Sequence, residues 1–134
     1  MANNPSPNHS LIADRRAPYS KRTDQYSFVL RPSGIEGIGV FAVHNIAKGT
    51  YLRLFSPAER VKIRKESGKH AAFLHRYSVE LGGMFHGPED FGRMSVGWYL
   101  NHASRPSAEH RAYRYYAKRN IRAGEELTIN YNTL

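Results

Sequence analysis

The chain has 134 residues, 40% hydrophobic and 12% aromatic, which sizes it as one domain able to bury a core of its own. The absence of cysteine excludes a disulfide scaffold, a zinc-thiolate cluster and a cysteine nucleophile. A net charge of +9 suits polyanionic company such as nucleoprotein, although solvated lysines and arginines account for it equally well.

Residues 1–24, rich in Asn, Pro, Ser and Arg without periodicity, are expected to form a flexible N-terminal arm, leaving 25–134 as the folded domain. They lack the apolar core of a secretory signal, and no later run approaches the roughly eighteen apolar residues of a membrane span. A soluble cytoplasmic protein is therefore expected. Tyr26–Arg31 has strand composition and is stopped by Pro32-Ser33-Gly34. Gly37-Ile38-Gly39-Val40-Phe41 reads as a glycine turn feeding a second strand, Asn45–Gly49 as another turn and Thr50–Phe55 as a third strand. Short strands at this spacing predict a mainly β fold of several small sheets.

Ser56-Pro57-Ala58-Glu59 has the pattern of a capping box with proline at the first helical position, and Gly68 that of a C-cap, which predicts a helix between them. Its basic residues Arg60, Lys62, Arg64, Lys65 and Lys69 suit either phosphate anchoring or a solvated face. Ala71–Leu81 ends with strand character, and Met84–Met94 reads as loop. Arg111–Lys118 is expected as a single strand, Asn120–Gly124 as a turn and Glu126–Tyr131 as the closing strand. No internal repeat is evident. The histidines lack the helical pairing or the Cys and Asp partners of a metal site, so no metal is expected.

Three segments stand out together: Gly37-Ile38-Gly39, Asn101-His102, and Gly124–Tyr131 with the sequence GEELTINY. In this order and near these separations they resemble the SET-domain lysine methyltransferases, over about Tyr26–Tyr131. That family writes its central motif Arg-Phe-x-Asn-His-Ser-x-x-Pro-Asn, where this chain has Trp98-Tyr99-Leu100-Asn101-His102-Ala103-Ser104-Arg105-Pro106-Ser107. Its closing motif, Glu-Leu-Thr-x-Asp-Tyr, corresponds to Glu126–Tyr131 with Asn130 for Asp. The serine-to-alanine change at Ala103 and the asparagine-to-serine change at Ser107 are expected to weaken local hydrogen bonding.

The resemblance implies a SET fold with a C-terminal pseudoknot and few short helices. It implies transfer of a methyl group from S-adenosylmethionine to a protein lysine, on a histone, chromatin-associated or ribosomal protein. Tyr131 would be catalytic; Gly37, Ile38, Gly39, Asn101 and His102 would hold the cofactor. Phe55, Tyr99 and Ile129 would line the substrate channel. Without flanking cysteine-rich modules the chain is similar to minimal bacterial or viral SET domains. A homodimer covering the site and delivery to a host nucleus both stay open. The alternative is a catalytically weak SET-fold adaptor for nucleic acid or chromatin. A groove for a basic substrate would need acidic residues, and Glu109, Glu125 and Glu126, with Glu89-Asp90, are the candidates.

Overall fold

The computed structural model describes residues 12–55, 61–63, 79–81, 84–87, 94–112 and 114–134, with strands 61–63, 79–81 and 84–87 defined by their backbone. The chain divides into two compact units, Met1–Leu54 with Tyr99–Leu134, and Phe55–Trp98. Among the described residues every regular element is a short strand or a 3-10 turn, so the mainly β expectation holds.

The first unit contains two sheets. In one, β1 (Phe28–Pro32), β2 (Ile38–Ala42), β10 (Glu126–Ile129) and β7 (Asn101–His102) lie in the order β1-β2-β10-β7. β1 and β2 form an antiparallel hairpin in register Phe28↔Ala42 and Leu30↔Val40. On this row Phe28, Val40 and Ala42 are buried, while Leu30 and Ile38, toward the turn, are exposed. β10 pairs antiparallel with β2, Leu127 opposite Val40, and parallel with β7, Thr128 opposite Asn101. The second sheet joins β3 (Tyr51–Leu52), β9 (Arg114–Ala117) and β8 (Ala108–Arg111) in the order β3-β9-β8. Here Ala108, Ala117 and Leu52 are buried, completing a core with Ile46, Leu54 and Ile121.

The single strand expected over Arg111–Lys118 is instead one arm and the turn of the β8–β9 hairpin, with Ala112 at φ +49° between the arms. A positive φ at alanine carries none of the Gly, Asn or Asp signals that normally announce such a turn, so the run reads as continuous.

The two sheets are joined by a short internal repeat that the sequence does not advertise. Asn45-Ile46-Ala47-Lys48-Gly49 and Asn120-Ile121-Arg122-Ala123-Gly124 share only Asn, Ile and Gly. They meet through an antiparallel bridge, Ile46 N–H to Ile121 O at 2.7 Å and the reverse bond at 2.8 Å. Each asparagine side chain accepts from the other turn, Asn45 Oδ1 from Ala123 N and Asn120 Oδ1 from Lys48 N, both at 2.8 Å. Each closing glycine, at φ +85° and +86°, donates to the strand on the opposite side, Gly49 to Ala117 O and Gly124 to Ala42 O.

Asn45 also anchors residues of the N-terminal segment. Its Nδ2 donates to Arg15 O at 2.8 Å and Ala17 O at 2.6 Å, while Ala13 N bonds Val43 O and Ser20 N bonds Asn45 O. Thr23 Oγ1 donates to Tyr51 O at 2.8 Å.

In the second unit, β4 (Val61–Ile63), β6 (Met84–Gly87) and β5 (Val79–Leu81) form an antiparallel sheet in the order β4-β6-β5. Two expectations are corrected here. Val61–Ile63, assigned to the capped helix, is strand, and Met84–Gly87, assigned to loop, pairs with it. Val-Lys-Ile places two β-branched residues at a spacing of two, a strand period that the capping box just before it does not override. Residues 56–60 and 64–78, with the remaining helix signals and the basic cluster apart from Lys62, lie outside the described residues.

Asn45 is buried and serves three hydrogen bonds, whereas its counterpart Asn120 is exposed. Asn45→Ala is expected to lower the unfolding free energy by about 3 kcal/mol, and Asn120→Ala by about 1 kcal/mol or less, in urea titrations at equal m-value.

Candidate active site

The loop joining β1 to β2 is closed by Ser33 N donating to Gly37 O at 2.8 Å, and Gly37 takes φ +48°. Gly39 follows in the strand. A Cβ built there would fall 2.5 Å from Glu126 Oε2, so the missing side chain is what lets the β10 carboxylate lie against β2. Glu126 is fastened in that position. Ser33 Oγ donates to its Oε1 at 2.7 Å, and Asn101 Nδ2 donates to its Oε2 at 2.9 Å.

Asn101 Nδ2 also reaches Glu36 O at 3.0 Å and, more weakly, Ile38 O at 3.4 Å. Strand β7 is thereby stitched to the glycine turn across β10. Gly37, Ile38, Gly39 and Asn101, far apart in sequence, become neighbours because β10 is the strand between their strands.

Beyond Ile129 the chain leaves strand geometry. Asn130 caps a 3-10 turn, Tyr131–Thr133, its Oδ1 accepting from Asn132 N at 2.9 Å. Tyr131 N donates to His102 Nδ1 at 3.1 Å, and the two rings lie 5.3 Å apart. Because an amide can only donate, Nδ1 is the acceptor and the neutral ring carries its proton on Nε2. The Tyr131 hydroxyl donates to Leu100 O. Its proton is thus committed to backbone, and its oxygen lone pairs remain as acceptors. Partial burial, followed by the negative charges of Glu36 and Glu126, pushes this phenol above its ordinary pKa of 10.0, so it stays neutral at physiological pH.

The segment after His102 returns along β10. Ala103 N donates to Ile129 O at 3.0 Å; buried Ser107 exchanges bonds with Thr128, N to Oγ1 at 3.1 Å and Oγ from Thr128 N at 3.0 Å. Ser107 Oγ also donates to Glu126 O at 3.2 Å. The loss of hydrogen bonding expected at Ser107 therefore does not occur. His110 Nε2 contacts Thr133 O, so the 102–110 segment is bonded to the chain end at Ile129, Tyr131 and Thr133.

Of the channel candidates, Ile129 is buried in β10 and Tyr99 is half-buried, directly before Leu100. Phe55 belongs to the second unit, where it packs edge-on against Trp98 at 5.3 Å and closely enough to Gly97 to exclude a Cβ there. The acidic groove also differs from expectation. Glu109 is paired with Arg111 at 3.5 Å and Glu125 with Arg119 at 2.7 Å, while Glu89-Asp90 lies outside the described residues. Glu36 and Glu126 are the acidic residues whose charge reaches Tyr131. Glu126 was legible as the first residue of the closing motif. Glu36 carried no signal, since its backbone carbonyl and its charge act only once the loop is folded.

The SET domain family profile matches residues 37–132. A crystal structure from Plasmodium falciparum, of a protein provisionally named a histone methyltransferase, is similar with a TM-score of 0.57 at 23% identity. The match covers 78% of this chain and 92% of that one, and at this identity it bears on the fold alone. No curated protein sequence matches significantly.

Two measurements check the geometry. In an ultraviolet titration, the difference between the wild type and Tyr131→Phe is expected to show a phenol ionising above 10.0. A raised folded pKa means that stability is unaffected below 10.0 and falls as pH climbs from there through the raised value, and Tyr131→Phe removes that part of the loss. Gly39→Ala is expected to displace the Glu126 carboxylate and free the Asn101 amide. Its unfolding midpoint should drop by less than that of Asn45→Ala, because a flexible side-chain end can move aside.

Proposed function

The chain belongs to the SET-domain family, and on that premise we propose that it is a protein-lysine N-methyltransferase taking its methyl group from S-adenosylmethionine. One observation above all supports the reading. A turn open at Gly37, an Asn101 amide, a His102 imidazole and a neutral Tyr131 phenol are drawn into one hydrogen-bonded group by β10.

The residues fit the cofactor in donor type and in charge. Asn101 Oδ1 and the His102 Nε2–H make no hydrogen bond among the described residues, leaving one acceptor and one donor for its polar groups. Space beside Gly37 is open to a ligand, and Glu36 and Glu126 suit its positive charges. When bound, the cofactor supplies an electrophilic methyl group on a sulfonium leaving group.

The residues then have simple tasks. The Tyr131 oxygen, with its own proton given to Leu100 O, keeps lone pairs that would accept from the lysine amine and from a polarised methyl group, and so would orient the nitrogen for transfer. The lysine would have to enter as the free amine, and the surplus proton left on nitrogen by methyl transfer would pass to water. Tyr131 acts as an acceptor and not as a base. Tyr99 and Ile129 are assigned to the lysine approach, and Phe55 to the same role on the resemblance alone. The substrate class we favour is a lysine within a nucleoprotein, such as a histone, chromatin-associated or ribosomal protein, because the chain carries +9.

Tyr131→Phe is expected to cut methyl transfer to protein substrates by at least about a hundredfold while changing cofactor affinity less than about twofold. Labelled methyl transfer in lysate and calorimetry read the two quantities. Asn101→Ala should abolish the calorimetric signal. Transfer that survives Tyr131→Phe would remove the catalytic assignment. Cofactor binding without transfer in the wild type would favour the adaptor.

A further inference from the structure

We propose that Glu126 is a specificity residue that makes this site favour the cationic methyl donor over its neutral thioether product. The inference rests on the cofactor assignment above and concerns what the assigned motifs leave unexplained: the job of the carboxylate at their centre.

Glu126 is distinctive among the described acidic residues near the site. Glu109 and Glu125 each have an arginine partner, in a chain with 20 lysines and arginines against 11 acidic residues. Glu126, half-buried, has only neutral donors, the Ser33 hydroxyl and the Asn101 amide. Charge-compensating partners are abundant in this protein, and among the described residues none is placed there. A carboxylate held by neutral donors keeps its full charge while its position is fixed, which leaves its field uncancelled for a ligand.

That field points at the reacting centre. Glu126 sits against Gly39, shares Asn101 with the glycine turn, and acts electrostatically on the Tyr131 hydroxyl. Glu36, whose carbonyl is bonded by the same Asn101 amide, adds charge of the same sign. S-adenosylmethionine and S-adenosylhomocysteine share their adenosine, ammonium and carboxylate groups. They differ by one methyl group and one positive charge on sulfur. A fixed negative charge acting on a ligand held by Asn101 and the glycine turn would discriminate between them by that charge alone, and would help the spent product to leave.

The test is calorimetric titration of both compounds into the wild type and Glu126→Gln. Glutamine can keep both contacts, because the Ser33 hydroxyl can accept a hydrogen bond as well as donate one. The ratio of donor to product affinity is expected to fall roughly tenfold in the variant, with product affinity changed less than about twofold. If Glu126 only braces the fold, both affinities fall together and the ratio stays constant, which overturns the proposal. A variant that does not fold leaves the wild type to decide. Its ratio should shrink as ionic strength rises from about 0.01 to 0.5 M, because screening acts on the charge that distinguishes the ligands. A ratio independent of salt overturns the proposal too. Failure of the wild type to bind either compound would overturn the cofactor assignment itself, an outcome separate from binding with an unchanged ratio.

Discussion

The fold depends on the pairing of Asn45–Gly49 with Asn120–Gly124. Every backbone group of a short strand must find a partner at its ends, and two- to five-residue strands have ends almost everywhere. The reciprocal turns answer that demand. One bridge, two side-chain caps and two glycine donors carry the β2–β10 ladder through Ala42 and Glu125, and the β3–β9 ladder through Thr50 and Ala117. The glycines are needed because each turn bends back through the left-handed region to reach its opposite strand. The isoleucines are needed because the bridge itself is buried, with Ile46 and Ile121 fully inaccessible.

With that crossing fixed, β10 has one place to go. It starts opposite Phe41, runs antiparallel to β2 toward the glycine turn and pairs parallel with β7 at Thr128 and Ile129, so the glycine turn and the Asn-His pair both lie toward the end of one four-residue strand. Tyr131 then emerges within one turn of His102, and Asn130 reverses the chain through its side chain. The Ser107–Thr128 exchange holds the returning segment against the same strand. Site residues some ninety positions apart are thus positioned by backbone pairing, and side chains only refine the arrangement.

Much of this was legible from sequence because glycine turns and β-branched alternation leave local marks, as at Gly37–Ala42 and Glu126–Ile129. What was missed shares a physical cause. The Ala112 turn uses a strained alanine with no turn signal, and Val61–Ile63 becomes strand through pairing with Met84–Gly87, a partner that itself looks like loop between glycines. The Asn-Ile-x-x-Gly repeat matches at three positions only, too few to stand out until the copies are seen to bond. Glu36 and Glu126 drew less notice than the motif residues around them, because an acidic side chain in sequence gives no hint of whether an arginine will neutralise it. Ser107, counted as a loss against asparagine, keeps its bonds because a hydroxyl both donates and accepts.

The same reasoning resolves a conflict between global and local charge. A chain with net charge +9 should disfavour a cationic cofactor and a lysine substrate. Charge separated from the site by more than about 8–10 Å is largely screened at physiological ionic strength, so the sum over the surface says little about the potential at one point. What matters there is which charges lie close and whether they are cancelled. Arg119 and Arg111 spend themselves on Glu125 and Glu109, leaving Glu36 and Glu126 to act on the Tyr131 hydroxyl. The negative field has a chemical cost as well as a benefit, since it also favours the protonated form of an incoming lysine, which cannot attack. On the proposed reading Tyr131 limits that cost, because a neutral phenol offers lone pairs to the amine without adding a third negative charge. The arrangement therefore sets a local negative potential in a basic protein while keeping the Tyr131 hydroxyl itself uncharged.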